Sequence, residues 1–398
     1  MKKILIVSHT MELGGAERAL LGLLNNIDYG QYSVDLFLER HVGELLPFVP
    51  DQVNILPENP AYASLGVPAA QVIKNKKPLI AAGRYIGKKK SEKFNRDSGY
   101  KSGVDVNINY SYKYTYKFMP MISSEKYDIA ISFLTPHYFA AEKAKADVKV
   151  AWIHTDYKAI EFDKKSEEKM WEKFDKIISI SHEVTKNFLN VFPQFKDKII
   201  EVKNMHPAEF IKAESEKFTP VNEMPDGSIR LLSIGRYCVA KNFDNVPFIC
   251  RELTEKYGLD LKWYIIGYGT DGDIIKANIA SAGMQENVIL LGKKDNPYPY
   301  IRLCDFYVQP SRFEGNAVTV NEALILGKKV ILTDYDTAVN QVENGVDGVI
   351  VPLENSLCAK GIADYLNDGE KQKKIQKTVS ERDYSNSSEI NKIYALMR

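Results

Sequence analysis

Short apolar runs rich in β-branched residues alternate along this chain with longer stretches of helical period. Ile4–Val7, Val34–Leu38, Ile129–Phe133, Val148–Ile153 and Ile177–Ile180 read as strands of a first half. Ile229–Ile234, Trp263–Ile266, Val288–Leu291, Phe306–Val308, Val330–Leu332 and Val349–Val351 read as strands of a second half. Helical stretches such as Ala16–Leu24 and Val246–Tyr257 lie between them. Continuous apolar strands separated by helices imply parallel sheets covered on both faces. The pattern therefore predicts an α/β chain of two doubly wound, Rossmann-like domains. The first takes residues 1–205 and the second 229–385. The join, 206–228, is polar, holds Pro207, Pro220 and Pro225, and shows no clean period. Residues 386–398 read as a closing helix.

One region resists this rhythm. Between 58 and 118, Tyr110, Tyr112, Tyr114, Tyr116 and Phe118 alternate with Ser111, Lys113, Thr115 and Lys117. A period of two indicates a strand, whereas the surrounding order calls for a helix before the Ile129 strand. Both readings stay open. Just upstream, Lys74–Lys101 is strongly basic, with Val72, Ile73, Leu79, Ile80, Tyr85 and Ile86 interleaved. Basic charge beside apolar side chains suits the anionic inner leaflet of a membrane, at about 1 kcal/mol per cation. The plainer alternative for 72–101 is a solvated, flexible insertion. Interleaved aromatic and basic residues can also stack nucleic-acid bases.

Composition narrows the partners. The 398 residues carry 53 basic and 52 acidic side chains, a formal net charge of +1, so nothing demands a nucleic acid and none is expected. Cys238, Cys250, Cys304 and Cys358 form no CxxC and no metal-ligand spacing, which points to reduced thiols in a cytoplasmic protein. Lys2 and Lys3 precede an apolar run too short for a signal-peptide core, and no run approaches a membrane span. At most a peripheral position on the cytoplasmic face of a membrane is expected.

The chemistry concentrates in Pro310–Gly327. A short strand ends at Pro310, Gly315 and Asn316 make a turn, and a helix runs from about Ala317 to Leu326, stopped by Gly327. On that helix Glu322 has Val318 and Leu326 at i±4 and Ile325 at i+3. A carboxylate on so apolar a face is costly unless something hydrogen-bonds it. The helix start, with amides around Gly315, Asn316 and Ala317, suits phosphate. Ala317 to Glu322 is a rise of about 7–8 Å. A diphosphate at the helix start would thus leave a ribose diol on Glu322 and a sugar near Glu314. Upstream, the strand Ile229–Ile234 ends in Gly235 and Arg236, with Lys241 five residues on. Ligands of doubly wound sheets bind off the carboxyl ends of the strands. There Gly235 admits a ligand to the backbone, Arg236 can grip phosphate oxygens in pairs, and Lys241 adds a point charge.

Glu314-x7-Glu322, after Pro310-Ser311 and before Ala323-Leu324-x-x-Gly327, with Arg236 and Lys241 in order, resembles the signature of the retaining glycosyltransferases of family 4. The resemblance is strong over about 229–352, partial over 1–25 and 125–185, and not visible in 58–118. It implies the GT-B fold, two such domains with a cleft between them and a closing helix packed back on the first. It implies transfer of a hexosyl group from a UDP- or GDP-linked sugar to a glycan or polyprenyl-diphosphate-linked acceptor, without metal or other cofactor. Carried over residue by residue, Glu314, His154, Arg236 and Lys241 take catalytic roles. Donor binding falls to Gly14, Gly15, Gly235, Arg236, Lys241, Gly267, Gly269, Glu314, Gly315, Asn316, Ala317 and Glu322. His154 closes the strand Val148–Ile153, with Asp156 nearby, where the family keeps a histidine beside the transferred sugar. His9 is a weaker candidate and His182 reads as structural. The family often has Gly-Phe-Gly where this chain has Gly315-Asn316-Ala317, a departure closest to members from bacterial capsule and exopolysaccharide clusters.

Two motifs compete. Gly267-Tyr-Gly-Thr-Asp-Gly272 is a literal GxGxxG and would suit a nicotinamide-dependent oxidoreductase. It lies on the second strand of the second half, however, and Asp271 and Asp273 would put negative charge where a pyrophosphate should sit. Asp271-Gly-Asp273 and Asp334-Tyr-Asp336 imitate a DxD metal motif, but Arg236 and Lys241 already supply cationic help. A third reading is a catalytically silent GT-B subunit supporting a partner enzyme.

Overall fold

The computed structural model describes residues 1–12, 14–315 and 317–397. Two compact units emerge, one of Met1–Met205 with Asn386–Arg398, the other of His206–Ser385. The first is built on β1 (Lys2–Ser8), β2 (Tyr32–Leu38), β3 (Asn54–Ile55), β4 (Lys126–Ser132), β5 (Lys145–Ile153), β6 (Lys176–Ser179) and β7 (Ile199–Glu201). The second is built on β8 (Ile229–Ile234), β9 (Leu261–Ile266), β10 (Val288–Gly292), β11 (Phe306–Gln309), β12 (Lys329–Thr333) and β13 (Val349–Val351). The sheet orders are β3-β2-β1-β4-β5-β6-β7 and β10-β9-β8-β11-β12-β13, and the strands pair in parallel. This is the α/β architecture of two parallel-sheet domains that the apolar pattern predicts. β3 and β7 were not foreseen, because two or three half-exposed residues leave no apolar run.

Both sheets reverse their winding at an inner pair, β1 with β4 and β8 with β11. Such reversals open a crevice at the carboxyl ends of the two strands. Each sheet has its own core. Leu5, Ile6, Ala130 and Val150 are sealed in the first, and Leu231, Trp263, Ile265 and Ile331 in the second. The segment 206–228 belongs to the second unit, where Ile211 and Met224 join the core. The chain end joins the first, with Ile393 buried and Tyr394 stacked on Tyr32 at 4.0 Å.

The tyrosine-rich region is helical. Pro78–Ser98 packs antiparallel in sequence order against Val104–Thr115, and the small residues Gly83, Gly87 and Ser91 line the contact. A Cβ on Gly83 would stand 2.5 Å from the Tyr114 carbonyl oxygen, and one on Gly87 2.7 Å from that of Tyr110. On the other side Tyr112 stacks on Phe139 at 4.7 Å and donates to Glu39. The helix Val104–Thr115 is thus buried on two faces, and that double burial writes an alternation that mimics a strand.

Candidate active site

The reversal of the second sheet brings the carboxyl ends of β8 and β11 side by side. The loop after β8 carries Gly235, Arg236 and Lys241; the loop after β11 carries Ser311, Arg312 and Glu314. The two are clamped together. Arg312 grips the Asp244 carboxylate through two nitrogens at 2.8 and 2.7 Å and donates to the Val239 carbonyl at 2.6 Å. Its own amide donates to the Ala240 carbonyl at 2.8 Å. Within this clamp Lys241 Nζ meets Glu314 Oε1 at 2.6 Å, with side chains only 18% and 10% exposed.

The same oxygen receives Ser311 Oγ at 2.5 Å and Gln309 Nε2 at 3.1 Å. Three donors therefore converge on Oε1, and among the described residues Oε2 has no partner. Gln309 Oε1 in turn takes the Tyr307 hydroxyl, which also meets Thr319 Oγ1. Burial, and the nearby Glu322 and Glu314, push the Tyr307 hydroxyl far above the ordinary range, so it stays a donor. A carboxylate held by this many donors has one fixed orientation. Arg236, on the loop after β8, is exposed and makes no hydrogen bond or ion pair among the described residues.

Glu322 lies on the helix Val318–Ile325, 1% exposed, with Tyr298 donating to its Oε1 at 3.0 Å. That bond answers the cost of a carboxyl on an apolar face. At the helix start, Gln341 holds Ala317 from both sides: its Oε1 accepts from the amide at 3.2 Å and its Nε2 donates to the carbonyl at 2.9 Å. A phosphate at that amide would displace the Gln341 oxygen. A Cβ on Gly315 would meet open space, and Asn316 lies outside the described residues.

Three of the glycines expected to admit a ligand, Gly235, Gly267 and Gly269, are packed against the protein itself. A Cβ on Gly267 would lie 1.9 Å from the Gly235 carbonyl oxygen, and one on Gly269 2.3 Å from that of Tyr237. At Gly235 the Lys241 side chain fills the space, at 2.9 Å. These glycines let the β8 and β9 loops lie flush, joined by Tyr237 N–H to the Tyr268 carbonyl at 2.8 Å. Gly267 and Gly269 of the GxGxxG turn thus serve the packing of the two loops.

Gly14, Gly15 and His154 belong to the first unit. Gly14 precedes the helix Gly15–Asn25, and a Cβ there would meet the Glu17 carboxylate at 2.0 Å. His154 follows β5, packed on Phe133 at 4.4 Å and Trp152 at 5.6 Å. Burial pushes its imidazole down to about 3, so it is neutral at physiological pH, and its buried Nε2 has no partner among the described residues. Asp156 does not orient it; both of that carboxylate's oxygens take Asn187 Nδ2 at 3.0 Å. Among the described residues no group of His, Cys, Asp or Glu side chains has the geometry to hold a metal ion.

Sequence reading missed Gln309, Ser311, Arg312, Tyr298 and Gln341. Gln309 and Ser311 hold Glu314, Arg312 holds Asp244, Tyr298 holds Glu322 and Gln341 holds the backbone of Ala317; Ser311 and Arg312 fall inside Pro310–Gly327.

Residues 214–382 match the family model described as glycosyl transferases group 1. One curated relative is the N-acetylgalactosamine-N,N'-diacetylbacillosaminyl-diphospho-undecaprenol 4-alpha-N-acetylgalactosaminyltransferase of Campylobacter jejuni. It is 30% identical over 145 residues, 36% of this chain and 39% of that protein. Another is the amylovoran biosynthesis glycosyltransferase AmsK of Erwinia amylovora, 27% identical over 178 residues, 41% of this chain and 44% of that protein. The matches thus span less than half the length of these relatives. Among solved structures, a TarM mutant of S. aureus in complex with fondaparinux, alpha-GlcNAc-glycerol and UDP aligns over 100% of both chains, with a TM-score of 0.67 at 15% identity. Anabaena HepE in complex with UDP aligns over 99% of both chains, with a TM-score of 0.64 at 16% identity. At such identities the likeness speaks for the fold alone, and that fold is GT-B.

Proposed function

We propose that this chain, whose second unit carries a glycosyl transferases group 1 domain, is a retaining, metal-independent hexosyltransferase. In this reading it moves a sugar from a UDP- or GDP-linked donor to a glycan or polyprenyl-diphosphate-linked acceptor on the cytoplasmic side of a membrane, in surface polysaccharide synthesis. The observation that carries the reading is Glu314: one oxygen is held by Lys241, Ser311 and Gln309, the other has no partner among the described residues, and the exposed Arg236 stands on the neighbouring loop. The fixed carboxylate offers its second oxygen to sugar hydroxyls. Arg236 and Lys241 supply positive charge where a departing diphosphate develops negative charge. Tyr298 orients Glu322 to receive the ribose diol. The neutral His154 donates to, or accepts from, a hydroxyl rather than acting as a strong acid. The acceptor hydroxyl forms the new glycosidic bond, the bond from sugar to diphosphate breaks, and the acceptor proton leaves with the phosphate. UDP in the HepE and TarM structures supports a uridine donor, and the undecaprenol-linked substrate named for the Campylobacter relative supports a lipid-linked acceptor.

Thermal melting against UDP-, GDP-, ADP- and CMP-sugars and NAD, in chelator, tests the donor, since a ligand of the native state raises the melting temperature. One sugar nucleotide should stabilise the protein and Glu322→Ala should abolish the shift. NMR of the product anomer then tests retention. Stabilisation by NAD alone would overturn the reading. Donor binding without transfer, together with activation of a second transferase, would favour the silent-subunit alternative.

A further inference from the structure

We infer that the helix Pro78–Ser98 is a docking face for an anionic bilayer, its first half seated among the acyl chains and its second half on the headgroups. The helix buries Ile80, Gly83, Gly87 and Ser91 against the rest of the first unit. Its opposite face runs at helical spacing through Leu79, Ala82, Ile86, Lys89, Lys93 and Arg96, all exposed. That stripe is apolar for its first half and cationic for its second. Leu79 is 61% exposed, and Tyr85 on its flank 63%. Ile73, in the helix just before, is 59% exposed, and Lys74 and Lys76 follow it. Large apolar side chains so placed add nothing to the fold, and monomeric surfaces seldom gather them.

The alternative of a flexible insertion does not describe this region. Its base is tied down by Tyr112 to Glu39 at 2.6 Å, Tyr110 to Asp163 at 2.7 Å and Lys113 to Ser166 at 2.8 Å. The Glu161 carboxylate also gathers the amides of Lys101, Ser102 and Gly103. The stripe is thus presented by a rigid pair of packed helices. Charge chooses the occupant. Glu92 answers Lys88 and Lys89 at 3.9 and 3.3 Å, while Lys90, Lys93 and Arg96 have no acidic partner among the described residues. Cations that continue an apolar stripe along one helix match a surface that is apolar inside and negative at its edge. Among the described residues no helix is long and apolar enough to cross a membrane, so the proposed contact is interfacial. The inference adds a membrane surface to the proposed transferase and does not depend on which donor it uses.

The test is flotation of the full chain with phosphatidylcholine vesicles, with and without about one third phosphatidylglycerol, at low and high salt. We expect binding to the anionic vesicles only, weakened by salt. The triple variant Lys90→Gln, Lys93→Gln, Arg96→Gln should bind about 100-fold more weakly, at roughly fivefold per cation. Leu79→Gln with Ile86→Gln should remove the part of the binding that survives high salt. Circular dichroism checks that each variant folds, and turnover on a water-soluble acceptor should stay at the parent level. Equal binding to neutral and anionic vesicles, undiminished binding of the triple variant, or tighter binding to a single-stranded RNA oligomer than to anionic vesicles would overturn the inference. Vesicle binding by a parent chain that shows no turnover would count against the proposed function instead.

Discussion

Exchanging Lys241 for Met removes the cation from the Glu314 carboxylate and leaves the aliphatic stem over Gly235 nearly unchanged. The pair lies at 2.6 Å with side chains 18% and 10% exposed, so water screens it only partly. Breaking a fully buried pair costs about 3–5 kcal/mol. Here Glu314 keeps Ser311 and Gln309 as donors, so the loss should fall to about 2 kcal/mol, the scale of one hydrogen bond to a charge. For a unit of this size that is roughly 4–8 °C in melting temperature. Turnover should suffer more. Removing a preorganised charge from developing negative charge costs on the order of 100- to 1,000-fold. Glu314→Gln keeps the shape and loses the charge, so it should melt within about 1 kcal/mol of the parent and still lose turnover. The assay is a double-mutant cycle, by urea midpoints for stability and by kcat for turnover. A real contact predicts coupling above about 0.5 kcal/mol. Additive stabilities, or parental kcat in Lys241→Met, would refute the reasoning.

Other expectations follow from single contacts. Gly87→Val places branched carbon where even a lone Cβ would stand 2.7 Å from the Tyr110 carbonyl oxygen; we expect a loss of about 1–3 kcal/mol in the first unit, read by urea titration, with donor binding retained. Stability should peak near pH 6.5. Below it, His9, His137, His154 and His206 are held neutral by burial, at about 4, 3, 3 and 4, while their unfolded counterparts take up protons, so stability is lost as pH falls. Above it, Glu39 and Glu167 are raised by burial to about 8 and 7, so their protonated native forms lose stability as pH rises through those values. Glu39→Gln should flatten the alkaline side, by up to about 1.4 kcal/mol per pH unit, seen in urea midpoints from pH 6 to 9. Tyr298→Phe should weaken donor binding by calorimetry while changing kcat little, because it removes the hydroxyl that donates to Glu322.

The eleven strands read from apolar runs all exist, and the reason is burial. A strand covered on both faces must be apolar throughout, so its signal is local and survives in the sequence. β3 and β7 are brief and half-exposed and leave no such trace. Charged positions were legible for a different reason. Glu314 and Glu322 sit at fixed spacing on one turn and one helix, and Arg236 and Lys241 follow one strand, so local geometry ordered each pair. The glycines were legible as close approaches, but not what approaches them. At Gly267 and Gly269 it is the loop after β8, which is remote in sequence and brought near by parallel pairing.

By itself, then, the sequence determined the two α/β units, their strands and which residues carry charge at the strand ends, because periodicity and turn chemistry are properties of neighbours along the chain. Only the tertiary structure decided that Glu314 is anchored through one oxygen, that Gln341 occupies the helix start, and that the tyrosine repeat is a helix pressed between two surfaces. Each of those depends on the pairing of β11 with β8 or β12, or of one helix with another. Contacts between distant segments are set by how the sheets wind, and no local period records them.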